Sequence, residues 1–267
     1  MLEWLPNLLE LLLLGAFAGL AAGLLGIGGG MLVVPSLALI FARHMDHGAP
    51  VMHFAVATSL ASIALTGSAS AWAHHRHAAV VWRHVAWLAP GLVVGAFVSA
   101  GLSVGISDIV LRRGFGLFAA VVGGKLVLGG ASYTPRPPPG AVVSLLAGMV
   151  FGAISALAGI GGGSLNVPYL VALGERMQRA VGSAAAAGVP LAVAGSVGYM
   201  LPGWERFAAN SAGYIILPPL LAIVLASMLV APLGAHLAHR MPAHQLKRVF
   251  GLALMLIGLG MLLTGKS

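Results

Sequence analysis

GLLGIGGGMLVVPSL, from Gly23 to Leu37, and ALAGIGGGSLNVPYL, from Ala156 to Leu170, are two versions of one pattern that lie 133 residues apart. Both contain GIGGG, and Val-Pro follows at the same distance in each. Two shorter blocks recur in the same order, AVAT as AVGS and RRGFGL as KRVFGL. Ordered self-similarity of this kind indicates internal duplication. We therefore expect two homologous halves, residues 1–134 and 135–267, that together form one domain.

The composition of the chain predicts a membrane protein. Of its 267 residues, 59% are hydrophobic and only 7% are charged, and the mean hydropathy is +1.00. So little charge cannot cover the surface of a water-soluble domain of this size. The long apolar segments also lack a polar face, which is typical of helices that have lipid around them. We therefore expect an all-α polytopic membrane protein.

Each half is predicted to contain four long transmembrane helices and one short helix. A bilayer core of about 30 Å needs about 20 apolar residues per helix. Two shorter apolar stretches, 31–42 and 164–173, follow the glycine-rich segments. The long segments that meet or approach the required length lie at residues 5–25, 53–73, 85–104, 114–131, 141–158, 180–201, 213–235 and 248–264.

The relative orientation of the halves depends on the short helices. If each short helix crosses the membrane, each half has five passes and the second half is inverted relative to the first, as in many secondary transporters. If the short helices do not cross, eight passes remain and the halves are parallel. Lys and Arg residues show only a weak bias towards one side under either scheme, so charge does not decide.

The GIGGG segments predict two interruptions of the helical backbone. Glycine carries a helix penalty of about 1 kcal/mol per residue, and proline removes a backbone donor. We therefore expect Gly26 to Val34 and Gly159 to Val167 to be unwound. The short helices should start at or just before Pro35 and Pro168, since proline suits the first helical turn.

Unwound backbone at membrane depth is tolerated only where protein buries it or where it lines a watery cavity. Free amides at the positive ends of the short helices would form an anion cradle near the membrane midplane. The alternative is that the glycines only pack helices closely. The cradle residues are Gly28, Gly29, Gly30, Gly161, Gly162 and Gly163, and the structural motif adds Gly26, Pro35, Gly159 and Pro168.

Five polar side chains are further candidates for contact with a bound anion. Asn166 either donates to the anion or caps the short helix. The hydroxyls of Thr58, Ser59 and Ser183 either donate to the anion or bond back to their own helix. Lys125 is the only charged residue near the middle of a predicted span, where it either lines a substrate pathway or extends to the membrane surface.

No catalytic or metal-binding pattern accompanies these candidates. All six carboxylates fall at segment ends or in loops, and the sequence contains no cysteine and no P-loop or HExxH motif. The cluster HHRH at His74 to His77, with Arg83 and His84, has no carboxylate or cysteine beside it, so we expect a solvated basic loop beside lipid head groups rather than a metal site. We therefore expect no enzyme, no cofactor, no bound metal and no nucleic-acid partner.

GxGGGxxxVP in both halves, a Thr-Ser or Gly-Ser pair on the following span and a basic turn before the last span resemble the sulfite exporter TauE/SafE family. The second half departs from the pattern at Ala184, where the first half has Ser59. The resemblance covers the whole chain and implies a multi-pass transporter of the inner (plasma) membrane. It also implies outward transport of a small sulfur-containing oxyanion or organosulfonate such as sulfite, thiosulfate or sulfoacetate.

Alternating access around the midplane site would be the mechanism of such a secondary transporter. An anion channel, or a membrane scaffold whose glycines only pack helices, is the alternative. The expected partners are the small anionic substrate and the lipid bilayer. The sequence leaves open whether the chain forms a homo-oligomer.

Overall fold

The computed structural model describes residues 7–25, 29–46, 48–128, 140–202, 210–238 and 243–263. Within these ranges the protein has ten α-helices, one 3-10 turn (Ser103–Gly105) and one small antiparallel hairpin. The helices are α1 Leu8–Leu25, α2 Gly30–His44, α3 Val51–Arg76, α4 Trp82–Leu102, α5 Asp108–Leu128, α6 Ala141–Leu157, α7 Gly163–Ala172, α8 Met177–Met200, α9 Leu217–Ala238 and α10 Ala243–Leu263.

The helix order confirms the predicted segments, with four longer helices and one short helix on each side of residue 134. Among the described residues, four helical stretches are long and apolar enough to cross a membrane: α3, α4 with its 3-10 turn, α8, and Leu217–Gly234 of α9. Shorter apolar helices include α1, α2 and α6. This is the pattern of a multi-pass helical membrane protein.

The short helices begin earlier than the sequence predicts. α2 starts at Gly30 and α7 at Gly163, so Pro35 and Pro168 lie inside the helices and the expected unwinding as far as Val34 and Val167 is wrong. A proline five residues into a helix removes one intrahelical hydrogen bond. An unwound first turn would leave several amides without acceptors in a medium without water, which costs more. The helices therefore extend back to the glycines.

The span predicted at 213–235 also starts later than expected. Its first residues belong to the hairpin, in which β1 (Ser211–Ala212) pairs with β2 (Ile215–Ile216), and α9 follows directly at Leu217. The turn between the strands contains Gly213, whose φ is 63°. A positive φ at the turn glycine is typical of such tight hairpins.

Helices α3 and α8 lie at the centre of the bundle. They contact each other, and α3 also packs on α2 and α9 while α8 packs on α4 and α7. They are the most enclosed of the four candidate spans, with 67% and 72% of their apolar windows buried. Elements that contact α3 and α8 therefore line the interior of the protein.

Glycines bring the outer helices into backbone contact. A Cβ at Gly91 or Gly95 of α4 would overlap the carbonyl oxygens of Leu145 and Met149 of α6. The contacted residue number rises along α6 as the glycine number rises along α4, so the two helices run parallel. This is the small-xxx-small packing expected between helices in lipid.

Helices α1 and α9 make the same kind of contact. A Cβ at Gly15 would lie 2.5 Å from the carbonyl oxygen of Ile223, and Gly19 faces Ser227 in the same way. Here too the contacts advance in the same direction. α1 and α9 therefore form a second parallel pair with the packing of α4 and α6.

The histidine-rich turn is less solvated than the sequence predicts. His74 lies in the last turn of α3, is 1% exposed, and its Nε2 is 3.1 Å from the carbonyl oxygen of Gly23. His84 is also buried, with Nε2 3.0 Å from Glu175 Oε1. The expectation of a solvated basic loop is therefore wrong for these two side chains. In the described part of the chain, no group of three or more metal-ligating side chains is assembled.

The glycine contact between α4 and α6 predicts a sharp positional difference within α4. Gly95→Ala should destabilise the protein by about 1 to 3 kcal/mol, because the added methyl group meets carbonyl backbone that cannot move aside. Gly101→Ala in the same helix has nothing within 4 Å of the new Cβ. It should leave stability unchanged or raise it by up to about 1 kcal/mol. Thermal unfolding in detergent measures both, and equal losses would contradict the proposed contact.

Candidate functional site

The second helix break, residues 158–162, separates α6 from α7. Its first half is folded back onto α6, since the amide of Ile160 donates to the carbonyl oxygen of Ser155 at 2.8 Å. Gly159 and Gly162 have φ values of 66° and 75°. This left-handed conformation strongly favours glycine, and it allows the chain to reverse direction between the two helices.

Gly29 repeats the conformation of Gly162 at the equivalent position of the first half. Gly29 has φ 71° and ψ −15°, and Gly162 has φ 75° and ψ −12°. Each is the N-cap of its short helix. The Gly29 oxygen accepts from Leu32 and Val33, and the Gly162 oxygen from Leu165 and Asn166. The repeated motif thus builds the same local structure twice, whereas Gly26 and Gly28 lie outside the described residues.

The two motifs lie against each other inside the protein. A Cβ at Gly30 would overlap the carbonyl oxygen of Gly159. The same oxygen accepts a 2.9 Å hydrogen bond from Ser59 Oγ of α3, and Ser59 is fully buried. On the other side, Gly188 of α8 packs on the carbonyl oxygen of Gly161. The structure therefore brings Gly30, Ser59, Gly159 and Gly161 together between α3 and α8.

The second break carries a set of buried donors without acceptors. The backbone N-H groups from Gly161 to Ser164 donate to no acceptor within the part of the chain that the structure describes. All four residues are buried. Buried backbone donors are nearly always paired in proteins, and each unpaired one is costly. The N-H groups of Gly29, Gly30 and Met31 at the first break are likewise buried without an acceptor in the described chain. That these amides bind an anion stays a prediction.

Asn166 adds an unpaired amide side chain to the same place. The side chain is fully buried, and neither its Nδ2 nor its Oδ1 has a hydrogen-bond partner. Nδ2 lies 2.9 Å from the position that a Cβ would occupy at Gly162, so the amide folds back over the first turn of α7. Asn166 therefore does not cap α7, whose N-cap is Gly162 and has no side-chain cap.

Two serines that the sequence analysis did not single out flank the same break. Ser155 lies in the last turn of α6 and Ser164 is the second residue of α7. Both are buried, and neither hydroxyl has a partner. A comparison of the two motif copies could have found them, because the equivalent positions hold the apolar residues Ala22 and Met31.

The hydroxyls of Thr58 and Ser183 act as acceptors at helix starts. Thr58 Oγ1 accepts a 3.0 Å hydrogen bond from the amide of Ile216, which directly precedes α9. Ser183 Oγ accepts a 2.8 Å hydrogen bond from the amide of Val81, which directly precedes α4. Neither oxygen bonds back to its own helix. Each hydroxyl instead satisfies a backbone donor that would otherwise be orphaned at a helix N-terminus.

Lys125 does not lie near the two helix breaks. It is exposed on α5, which packs mainly on α10, and it is absent from the contacts that the structure gives for the two motifs. The motif prolines differ in environment, since Pro35 is buried and Pro168 is exposed. A role for Lys125 in an anion pathway stays a prediction.

A small cavity adjoins the second break. It has a volume of about 10 Å³ and lies between Gly161, Gly188 of α8, and α1 and α3, with Ser70 contributing a hydroxyl. This volume holds about one water molecule. An oxyanion of four or more heavy atoms does not fit. This cavity, whose lining includes none of Ser155, Ser164 and Asn166, is therefore too small to hold the expected substrate.

A bundle of apolar helices in which two interrupted segments meet has the architecture of a membrane transporter. The chain belongs to the sulfite exporter TauE/SafE family, whose model matches residues 11–261. The resemblance seen in the sequence is thus confirmed, and the protein is a membrane transporter of this family. No solved structure matches the chain significantly.

Several similar proteins are probable membrane transporter proteins. One from Haemophilus influenzae is 35% identical over 262 residues, which cover 94% of this chain and 97% of that protein. One from Xylella fastidiosa is 30% identical over 92% of this chain and 91% of its own length. One from Methanocaldococcus jannaschii is 28% identical over 98% of this chain and 97% of its own length.

The two hydroxyl acceptors predict a loss of stability on their removal. Thr58→Val and Ser183→Ala should each cost about 1 to 3 kcal/mol, because each leaves a backbone N-H buried without a partner. Thr58→Ser should restore most of the loss. Ser196→Ala is the matched control in α8, since its hydroxyl only donates to Ala192 of the same helix. Thermal unfolding measures the three stabilities, and an equal loss in Ser196→Ala, Thr58→Val and Ser183→Ala would contradict this role.

Proposed function

We propose that the protein is a secondary transporter of the inner (plasma) membrane that exports sulfur-containing oxyanions or organosulfonates of the sulfite, thiosulfate or sulfoacetate type. It works by alternating access around an anion site at the two helix breaks. The observation that carries the proposal is the contact between the two motifs, with buried unpaired donors from Gly161 to Ser164 beside it. Such donors suit an anion and suit no cation.

The electrostatics of the second break support an anionic substrate. The N-terminus of α7 carries the equivalent of roughly half a positive charge, and the low dielectric of the interior strengthens its attraction to an anion. The described carboxylates lie at helix ends or between helices, as the sequence predicts: Glu10, Asp46, Asp108 and Glu175. No carboxylate relay through the described membrane helices competes with this reading.

The hydrogen bonds of Thr58 and Ser183 support inverted halves. Thr58, near the start of α3, bonds the residue before α9, and so lies beside the end of α8. Ser183, near the start of α8, bonds the residue before α4, and so lies beside the end of α3. α3 and α8 therefore run antiparallel. Because they hold equivalent places in the two halves, the second half is proposed to be inverted, with five passes in each.

Two helix pairs are proposed to move as rigid bodies during transport. The pair α1 and α9 and the pair α4 and α6 each join one helix from either half through glycine contacts. Backbone contacts of this kind hold each pair as one body. The close contact between the two motifs is that of Gly30 with the carbonyl oxygen of Gly159. Separation of these two glycines is the proposed opening step.

The second candidate is an anion channel, or a scaffold whose glycines only pack helices. It is favoured by the same glycine contacts in α1, α4 and α5, where a Cβ at Gly123 would lie 2.6 Å from the carbonyl oxygen of Gly251. These contacts lie outside the two breaks. Substitutions inside and outside the breaks therefore separate the two functions.

Gly162→Ala should lower oxyanion flux by about 100-fold while the protein still reaches the membrane, because the methyl group displaces the Asn166 amide and shifts the free donors. Gly48→Ala is the matched control. Gly48 also has a positive φ, 94°, but nothing lies within 4 Å of its Cβ, so the backbone strain is similar and flux should persist. Flux is measured in liposomes with sulfite, thiosulfate, sulfoacetate, sulfate and short carboxylates.

Three results would contradict the transporter. Undiminished flux in Gly162→Ala would show that the break does not handle the substrate. An equal loss of flux in Gly162→Ala and Gly95→Ala, with reduced folding in both, would favour a scaffold whose glycines only pack helices. Flux without saturation and without exchange of labelled for unlabelled anion would favour a channel.

A further inference from the structure

The two breaks share their backbone conformation but differ in side chains. Three buried polar side chains of the second break have polar atoms without hydrogen-bond partners, and the equivalent residues of the first break are buried and apolar. The pairs, 133 residues apart, are Ser155 with Ala22, Ser164 with Met31, and Asn166 with Val33. The first break therefore has no side chain of this set with which to bind a polar ligand.

The Asn166 amide sets the hydrogen bonding that a ligand must supply. A carboxamide has both donors and an acceptor, and both atoms of Asn166 are buried without partners. This holds whichever way the amide is oriented. A ligand that only accepts hydrogen bonds leaves the amide oxygen unpaired. A ligand that also donates one satisfies both atoms.

The charge of the site limits the charge of the ligand. No Lys or Arg side chain appears among the described contacts of the second break, and Lys125 is exposed on α5. The positive potential there comes from backbone amides and one helix terminus, roughly half a charge. A dianion would lose the hydration of two charges for this small compensation, and that cost is high in an apolar interior.

We propose that the second break is the binding half of the site, and that its ligand is a singly charged oxyanion that also carries a hydrogen-bond donor, which Asn166 recognises. The first break supplies apolar side chains, the close contact of Gly30 with Gly159, and the N-H groups of Gly29 to Met31, which also have no acceptor in the described chain. This inference rests on the proposed function and narrows its substrates to singly charged ones, which leaves out the dianions thiosulfate and sulfoacetate. Ser155 and Ser164 add hydroxyls on either side of the free amides.

A matched pair of sulfonates tests the donor. Isethionate and ethanesulfonate have the same charge and headgroup and differ by one hydroxyl. Purified protein should bind isethionate at least tenfold more tightly, because a polar site rejects an analogue that leaves its buried groups unpaired. Sulfate, a dianion without a donor, should bind at least tenfold more weakly than isethionate. Titration calorimetry in detergent measures all three affinities.

Asn166→Val, which copies the first break, should reduce the preference for isethionate to less than about twofold, because isethionate loses the acceptor for its hydroxyl while both sulfonates lose the same amide donor. The variant should fold normally, since the amide makes no hydrogen bond that would be lost. Ser196→Ala is the control for a hydroxyl removed elsewhere in the core, and it should keep the full preference. The unfolding temperature of each variant is measured alongside.

The outcomes separate this inference from the proposed function. Equal affinity for the two sulfonates in the unaltered protein, tighter binding of sulfate, or a preference that survives in Asn166→Val would each overturn the inference. Loss of flux in Gly162→Ala would still support the transporter in those cases. Absence of saturable binding and of flux for every anion in the series would overturn both.

Discussion

Backbone amides inside a bilayer have no water to bond, so each must find an acceptor within the protein. The helices meet this requirement along their length. At the starts of α4 and α9 it is met by the hydroxyls of Ser183 and Thr58, which accept from the residues just before those helices. In the described chain, both breaks have successive buried N-H groups without an acceptor, Gly161 to Ser164 at the second break and Gly29 to Met31 at the first. A protein tolerates buried N-H groups without acceptors where a bound ligand supplies the acceptors.

Glycine serves two physical purposes in this chain. In α4, Gly91 and Gly95 are helical and allow the backbone of α6 to approach closely. At the breaks, Gly29 and Gly162 have positive φ and are the N-caps of the short helices. Gly30 combines both settings, since it begins α2 and packs on the carbonyl oxygen of Gly159.

Apolar runs predict the helices well because the bilayer imposes their length, and most predicted bounds lie within a few residues of the observed ones. The glycine-rich sequence predicts later starts for α2 and α7 than the structure has, since the need to pair backbone amides outweighs the low helix propensity of glycine. The roles of Ser59, Thr58 and Ser183 depend on partners 100 or more residues away, which local patterns do not contain. The partial burial of the histidine-rich turn has the same origin.

The two copies of the motif differ in the side chains that are proposed to bind the substrate. Gly29 and Gly162 keep the same backbone angles within a few degrees, because each is a left-handed N-cap of a short helix. The neighbouring side chains are free of that requirement, and they differ: Val33 is packed among apolar groups where Asn166 has an unpaired amide. A symmetric scaffold with one polar break offers a small ligand one orientation instead of two. In the proposed mechanism, the repeated backbone thus serves the movement between states, and the difference in side chains serves recognition.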